Sequence, residues 1–198
     1  MFKRYLSTFK LKLTYTYYSY FKKEKHFTEP LKLHLGCGKI YLKDYINIDK
    51  SYDSVADVVS DFRNINRLFL SNSVTEILLV HSISYLRLWE GLDFFKVSFE
   101  LLKQGGCLIL EFPDIEKCAT SLVKSKNDYP NYIEAVRGIY AFDLNQIQKK
   151  ESFHTYAFGW SAWHIKEELT KIGFKHVVCT DGILHDYRWR DTRIVATK

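Results

Sequence analysis

The 198-residue chain predicts an α/β fold, a mostly parallel sheet flanked by helices, and two observations carry the prediction. Seven short apolar runs alternate with segments of helical periodicity, the pattern of strands joined by crossover helices. The first of these runs also passes directly into a Gly-Cys-Gly turn, Gly36-Cys37-Gly38, and the second ends in a carboxylate, Asp49. Leu33 and Leu35 suit a buried strand, and Gly36 and Gly38 permit a backbone approach that a side chain would block. Asp49 can accept two hydrogen bonds from a ribose diol. In isolation a Gly-x-Gly after an apolar run is also an ordinary turn, so the rest of the chain has to decide between a nucleoside site and a plain turn.

Taken in order, the runs fall at residues 31–35, 45–48, 56–59, 75–80, 107–112, 176–179 and 193–196. Between the fourth and fifth, Leu88, Leu92, Phe95, Phe99 and Leu102 recur at helical spacing, with Gly105 and Gly106 as the expected end of that helix. Ala162, Ile165, Leu169 and Ile172 repeat the pattern, and Gly173 is the natural stop before the next run. Residues 114–153 break the rhythm. This insertion is longer than an ordinary connection and rich in Lys, Asp, Asn and Tyr around Pro130, which suits either a lid or a surface decoration with short helices of its own.

Composition bounds the remainder. At 23.4 kDa the chain suits one domain able to bury about 70% of the surface exposed when unfolded. Cys37, Cys107, Cys118 and Cys179 are widely spaced, form no CxxC pair and lack a clustered His partner, so neither a metal nor a disulfide framework is expected and a reducing cytoplasm is the simplest setting. The net charge of +6 is concentrated at one end: residues 1–29 hold seven Lys or Arg against Glu24 and Glu29, which leaves +1 for residues 30–198. A nearly neutral body makes nucleic acid an unlikely partner.

The basic arm, residues 1–29, interleaves its charges with nine aromatics and has no apolar stretch long enough for a signal peptide or membrane span. Phe2, Leu6, Phe9, Leu13, Tyr17 and Tyr20 fit one face of a helix, the favoured reading, while Phe9, Leu11, Leu13, Tyr15 and Tyr17 alternate as a strand would. Pro30 separates the arm from the domain of residues 30–198. Such an arm suits a solvated docking segment or reversible peripheral contact with the inner face of an anionic membrane.

The motifs in order read LHLGCGK, NID, DVVSDF, LLVHSIS, LLKQGG, LILEFPD, then a terminal helix and KIGF. Over residues 31–198 this resembles class I S-adenosylmethionine-dependent methyltransferases, and within them a small bacterial branch associated with polysaccharide and glycan biosynthesis. The resemblance implies a Rossmann-like sheet of seven strands and S-adenosyl-L-methionine as cofactor. It implies that Gly36, Cys37 and Gly38 pass under the methionine part, that Asp49 holds the ribose, that Asp61 and Phe62 frame the adenine, and that His81 sits over the sulfonium. His34 stands where many relatives carry an acid contacting the cofactor's amino group, Ile40 replaces the third glycine of the turn, and Ser84 and Tyr85 replace a Glu-His pair.

For chemistry, methyl transfer to a hydroxyl needs alignment and a base. His81 is the leading candidate base. Asp114 would orient an acceptor hydroxyl or cap the helix that begins there. His154 and Trp160, in HTYAFGW, would close the pocket over a sugar or pack beneath the insertion. His185, Asp186, Arg188, Arg190 and Asp191 crowd into a hairpin that is either a solvated face or, facing the pocket, a seat for an acceptor phosphate or carboxylate. The function expected is O-methylation of a sugar or glycan precursor, small-molecule or lipid-linked. The alternatives are an RNA methyltransferase and a catalytically inactive cofactor-binding partner in a glycan-assembly complex, the latter motivated by Ser84 and Tyr85.

Overall fold

The computed structural model describes residues 20–21, 30–149, 154–185 and 187–198. Its strands form one sheet: β1 (Tyr20–Phe21), β2 (Leu31–Leu35), β3 (Ile46–Asp49), β4 (Val58–Val59), β5 (Val74–Val80), β6 (Leu102–Pro113), β7 (Lys175–Asp181) and β8 (Asp191–Thr197). The order across the sheet is β1-β4-β3-β2-β5-β6-β8-β7, with β4, β3, β2, β5 and β6 parallel. β8 runs antiparallel to both β6 and β7, and β1 runs antiparallel to β4. The seven expected strands are all present in this Rossmann-like sheet. The eighth, β1, comes from the arm. Tyr20 therefore lies in a strand rather than on the expected helix face, and the sheet begins before Pro30; the rest of the arm, with its basic and aromatic pattern, lies outside the described residues.

The central strands are continuous apolar runs because helices cover both faces. Leu33, Leu35, Ile48, Ile77, Leu79, Leu108 and Leu110 are all fully buried. α1 (Leu88–Leu101) turns Phe94, Phe95, Ser98 and Leu101 inward and keeps Leu88, Leu92 and Phe99 at the margin of the core. It ends at Leu101, four residues before the expected stop. Gly105 and Gly106 instead serve β6, where the register against β5 jumps from Val74↔Leu102 to Glu76↔Cys107. Gly105 takes φ +77 in that bulge and donates its N–H to the Lys198 carbonyl at 3.0 Å.

The insertion folds into α2 (Ile115–Lys124), α3 (Tyr129–Tyr140) and α4 (Leu144–Gln148), with α2 and α3 packed together. α5 (Ala162–Ile172) follows its predicted span and stops at Gly173, φ +117, whose N–H closes back on Leu169 and Thr170. Among the described residues no helix is long and apolar enough to cross a membrane.

One connection departs from the usual crossover. β2 and β3 are parallel neighbours, yet only a turn-rich loop joins them, and the fully buried Asn47 braces it. Its Oδ1 accepts from Leu42 N–H at 3.0 Å, and its amide donates to the carbonyls of Leu42 and Tyr45 and to Asp57 at 2.9–3.1 Å. A side-chain amide thus satisfies loop groups that a helix would satisfy internally.

Candidate active site

The chain runs outward through β2, β3 and β4, then returns to lay β5 on the other side of β2. The sheet order reverses there, and in open α/β sheets the crevice beyond the carboxyl ends at such a switch is where ligands bind. A cavity of about 330 Å³ lies at that point, within the size range of small-ligand sites.

Its floor is the turn after β2. Gly36 adopts φ +68 and donates to the Ile48 carbonyl at 2.8 Å. A Cβ on Gly36 would lie 2.7 Å from the Cβ of Ser82, so no side chain fits between the ends of β2 and β5. Gly38, φ +53, has open space above its Cα and donates its N–H to Asp49 Oδ2 at 2.9 Å. The other carboxylate oxygen of Asp49 accepts from Ser51 N–H at 2.8 Å. Asp49 thus ties the glycine turn to the loop after β3 while lining the cavity, and each oxygen retains a lone pair for a ligand hydroxyl.

The next wall is the segment after β4. Asp61 caps the 3₁₀ helix Phe62–Arg67 and is gripped by the Arg63 guanidinium, which also reaches Glu90 at 2.7 Å. Burial pushes the Asp61 carboxyl up, but the hydrogen bonds and charge of Arg63 outweigh it and hold the group below its ordinary value. Phe62 lines the cavity with its ring edge-on to Phe94, 5.7 Å between centroids. Ser82, Tyr85, Leu86 and His154 complete the lining.

Of the expected cofactor residues, Gly36, Gly38, Asp49, Asp61 and Phe62 line this cavity. Three do not. Cys37 is buried beneath the turn. His34 is 1% exposed and pairs Nδ1 with Asn47 Oδ1 at 3.1 Å, so it belongs to the network that braces the β2–β3 loop; burial lowers its pKa. His81 points elsewhere, as described below. Of the other candidates, His154 lines the cavity, whereas Asp114 is a cap: buried, it accepts from Glu116 N–H at 2.9 Å, Ala162 N–H at 3.1 Å and the Thr192 hydroxyl at 3.2 Å. Buried and absent from the cavity lining, it serves as the helix cap the sequence also offered and not as a group facing the cavity. Trp160 is likewise a core residue, fully buried against Phe95, Phe158 and His164, and is not among the residues lining this cavity.

His81 sits at the end of β5 with φ +56, a left-handed conformation uncommon outside glycine, and its N–H bonds to the Glu111 carbonyl at 2.7 Å. Its Nε2 lies 2.9 Å from Asp191 Oδ2, and its ring stacks on His185 at 4.4 Å. Arg190 grips both oxygens of Asp191, Nε to Oδ1 at 2.7 Å and Nη2 to Oδ2 at 2.9 Å. Of the hairpin residues singled out in the sequence, the structure gathers His185, Arg190 and Asp191 around His81, while Asp186 lies outside the described residues. Ser82, next to His81 in the chain, lines the cavity, and Tyr85, another lining residue, meets Tyr156 edge-on at 4.9 Å.

Sequence reasoning missed the residue that builds this cluster. Glu111 is fully buried and accepts from the N–H groups of Leu184 at 2.8 Å, Ile183 at 3.2 Å and His185 at 3.3 Å, and from Arg193 at 3.1 Å. The signal was present: an acid inside the apolar run LILEF must find partners or unfold the strand, and basic Arg193 sits in the neighbouring strand. Lys50, Arg63, Ser82, Tyr85 and Leu86 were also missed as lining residues, since only the folded loops bring them to one space.

In its sheet order and flanking helices the chain shares its fold with solved structures of SAM-dependent methyltransferases. Solved structures similar in fold include a SAM-dependent methyltransferase from Archaeoglobus fulgidus, 13% identical over 87% of this chain and 88% of that one, TM-score 0.57. A possible histamine N-methyltransferase from Thermotoga maritima is 16% identical over 85% of this chain and 82% of that one, also at 0.57. A Haemonchus contortus N-methyltransferase in complex with phosphomonomethylethanolamine and S-adenosylhomocysteine is 13% identical over 86% of this chain and 50% of that one, at 0.53. No protein-family model matches the chain, and no curated protein matches it in sequence.

Proposed function

We propose that the chain is a methyltransferase that uses S-adenosyl-L-methionine to methylate an oxygen of a sugar or glycan precursor. The observation that carries the cofactor half is the cavity at the sheet's switch point, where a glycine turn, Asp49 and the Asp61–Phe62 segment meet. Its residues fit the cofactor in kind. Gly38 leaves its Cα bare toward open space, Asp49 offers lone pairs suited to a ribose diol, and the Phe62 ring offers an apolar face to a purine. When bound, the cofactor supplies an electrophilic methyl group on a sulfonium. S-adenosylhomocysteine in the Haemonchus neighbour supports the same class of ligand here.

The protein's own task is then alignment and proton removal. Tyr85 and His154 line the cavity as polar groups for an acceptor hydroxyl, and His81, in the neighbouring cluster, is the base in this reading. The glycan acceptor rests on the motif resemblance, and a lipid-linked precursor would suit the +5 arm, whose basic and aromatic residues favour anionic membrane surfaces.

The test is transfer of a labelled methyl group from S-adenosylmethionine to a panel of monosaccharides, nucleotide sugars, lipid-linked sugars and RNA. An O-methylated sugar as product supports the reading, whereas labelled RNA would replace it with a nucleic-acid enzyme. Cofactor binding with no transfer to any member, joined to stable pull-down of a glycosyltransferase, would favour an inactive partner.

A further inference from the structure

We propose that Asp191 is the positioning residue for His81: it takes the hydrogen on Nε2, so that Nδ1 is the nitrogen left to receive the acceptor's proton, and Arg190 locks the carboxylate in place. The inference rests on the reading of His81 as the base. The geometry supporting it is independent of the cofactor cavity and comes from three elements, the ends of β5 and β8 and the loop before β8.

An ionised carboxylate can only accept hydrogen bonds, so the 2.9 Å contact between Asp191 Oδ2 and His81 Nε2 places the hydrogen on Nε2; the Arg190 Nη2 approach to the same nitrogen is longer, 3.4 Å, and Nη2 donates instead to Asp191 Oδ2 at 2.9 Å. In a neutral imidazole the lone pair then belongs to Nδ1. Among the described residues no hydrogen bond engages Nδ1, and the His81 side chain keeps 22% exposure while Asp191 has none. Asp191 is held as a carboxylate by the two-pronged grip of Arg190. The backbone contributes as well: the φ of +56 at His81, fixed by the bond to the Glu111 carbonyl, accompanies the turn of its ring toward Asp191, and His185 stacks on that ring.

His81, His185 and Asp191 also have the composition of a metal site, with one ligand atom each inside 4.8 Å. Arg190 argues against that use. Its Nη2 lies 2.9 Å from Asp191 Oδ2 and 3.4 Å from His81 Nε2, in the notch a bridging cation would fill, and it already supplies the positive charge. In the step proposed, the acceptor's O–H bond breaks with its proton passing to Nδ1, the oxygen forms the new bond to the methyl carbon, and the sulfur retains the electron pair of the broken S–CH₃ bond. The imidazolium then stands beside Asp191, whose charge stabilises it, and returns its proton to solvent.

The experiment is nitrogen NMR of the full chain carrying ¹⁵N-histidine, with S-adenosylhomocysteine added and the His81 signals assigned by His81→Gln. In its neutral form, His81 is expected to show a protonated Nε2 and a bare Nδ1. In Asp191→Asn the hydrogen should redistribute between the two nitrogens, because the carboxylate that fixes it is gone. A hydrogen fixed on Nδ1 in the wild type, or an unchanged tautomer in Asp191→Asn, would overturn the proposal. So would loss of the His81 and His185 signals at equimolar Mn²⁺, which would make the trio a metal site. The wild-type tautomer is decisive even if Asp191→Asn fails to fold. With an acceptor in hand, Asp191→Asn should lower kcat about 10²- to 10⁴-fold, with partial recovery in Asp191→Glu. Full turnover in His81→Gln would instead defeat the reading of His81 as base, so the two failures are distinguishable.

Discussion

At the scale of single residues, the two glycines of the turn after β2 have different duties. Gly36 is required by packing, since its φ of +68 and the Ser82 side chain beside it leave no room for a Cβ. Gly36→Ala is expected to destabilise the fold by about 1–3 kcal/mol, measured as a lower urea midpoint. Asp114 presents the opposite case, a carboxylate in the right part of the fold for catalysis whose bonds are all structural. Asp114→Ala should cost about 1–3 kcal/mol in the same assay while the folded protein keeps its affinity for S-adenosylhomocysteine. Tightly coupled losses of stability and ligand affinity would return Asp114 to the site.

Among elements, the 3₁₀ helix after β4 carries the clearest pH signature. Its cap, Asp61, has a folded pKa below the ordinary 3.8 because Arg63 outweighs the effect of burial. A depressed carboxyl contributes stability that is complete above the unfolded value and is lost as pH falls through the folded one. The thermal midpoint of the wild type should therefore fall below about pH 4 more steeply than that of Asp61→Asn, in which this ionisation is gone. Parallel curves for the two proteins would show that the ion pair does not couple to folding.

The elements were unequally legible in the sequence, and the reasons are physical. α5 was readable to its last residue because apolar spacing and a following glycine agree. The end of α1 was not, because Gly105 and Gly106 serve a bulge in β6, and a glycine pair reads alike as a helix stop or a strand irregularity. Asp49, Asp61 and Phe62, which the resemblance places at the cofactor, all line the cavity, Asp49 at the end of β3 and Asp61 and Phe62 just after β4. His81 was legible by position but not by direction, since its backbone turns left-handed and its partners lie more than one hundred residues away. Long-range pairs of that kind leave no periodic trace.

Across the whole molecule, the structure divides the reaction side of the sheet into two adjoining parts. One is a cavity floored by the glycine turn at the β2–β5 switch; the other is a buried ion-pair cluster assembled from β5, β8 and the loop that Glu111 gathers before β8. In the proposed reading, a ligand in the cavity and His81 in the cluster act on one acceptor held between them, near the Tyr85–Tyr156 pair. The arm is a separate matter of charge: the full chain should sediment with anionic liposomes and not with neutral ones, and failure to bind either would remove the membrane from the account.

The central claim is that the cavity binds S-adenosylmethionine through Asp49. Titration calorimetry of the folded chain with S-adenosylmethionine and S-adenosylhomocysteine tests it most directly, beside Asp49→Asn, which keeps the side chain's size. The account predicts one-to-one binding of both ligands by the wild type, weakened about tenfold or more in Asp49→Asn as charge-assisted hydrogen bonds to the ribose are lost. No heat with either ligand, or equal affinity in the variant, would contradict it.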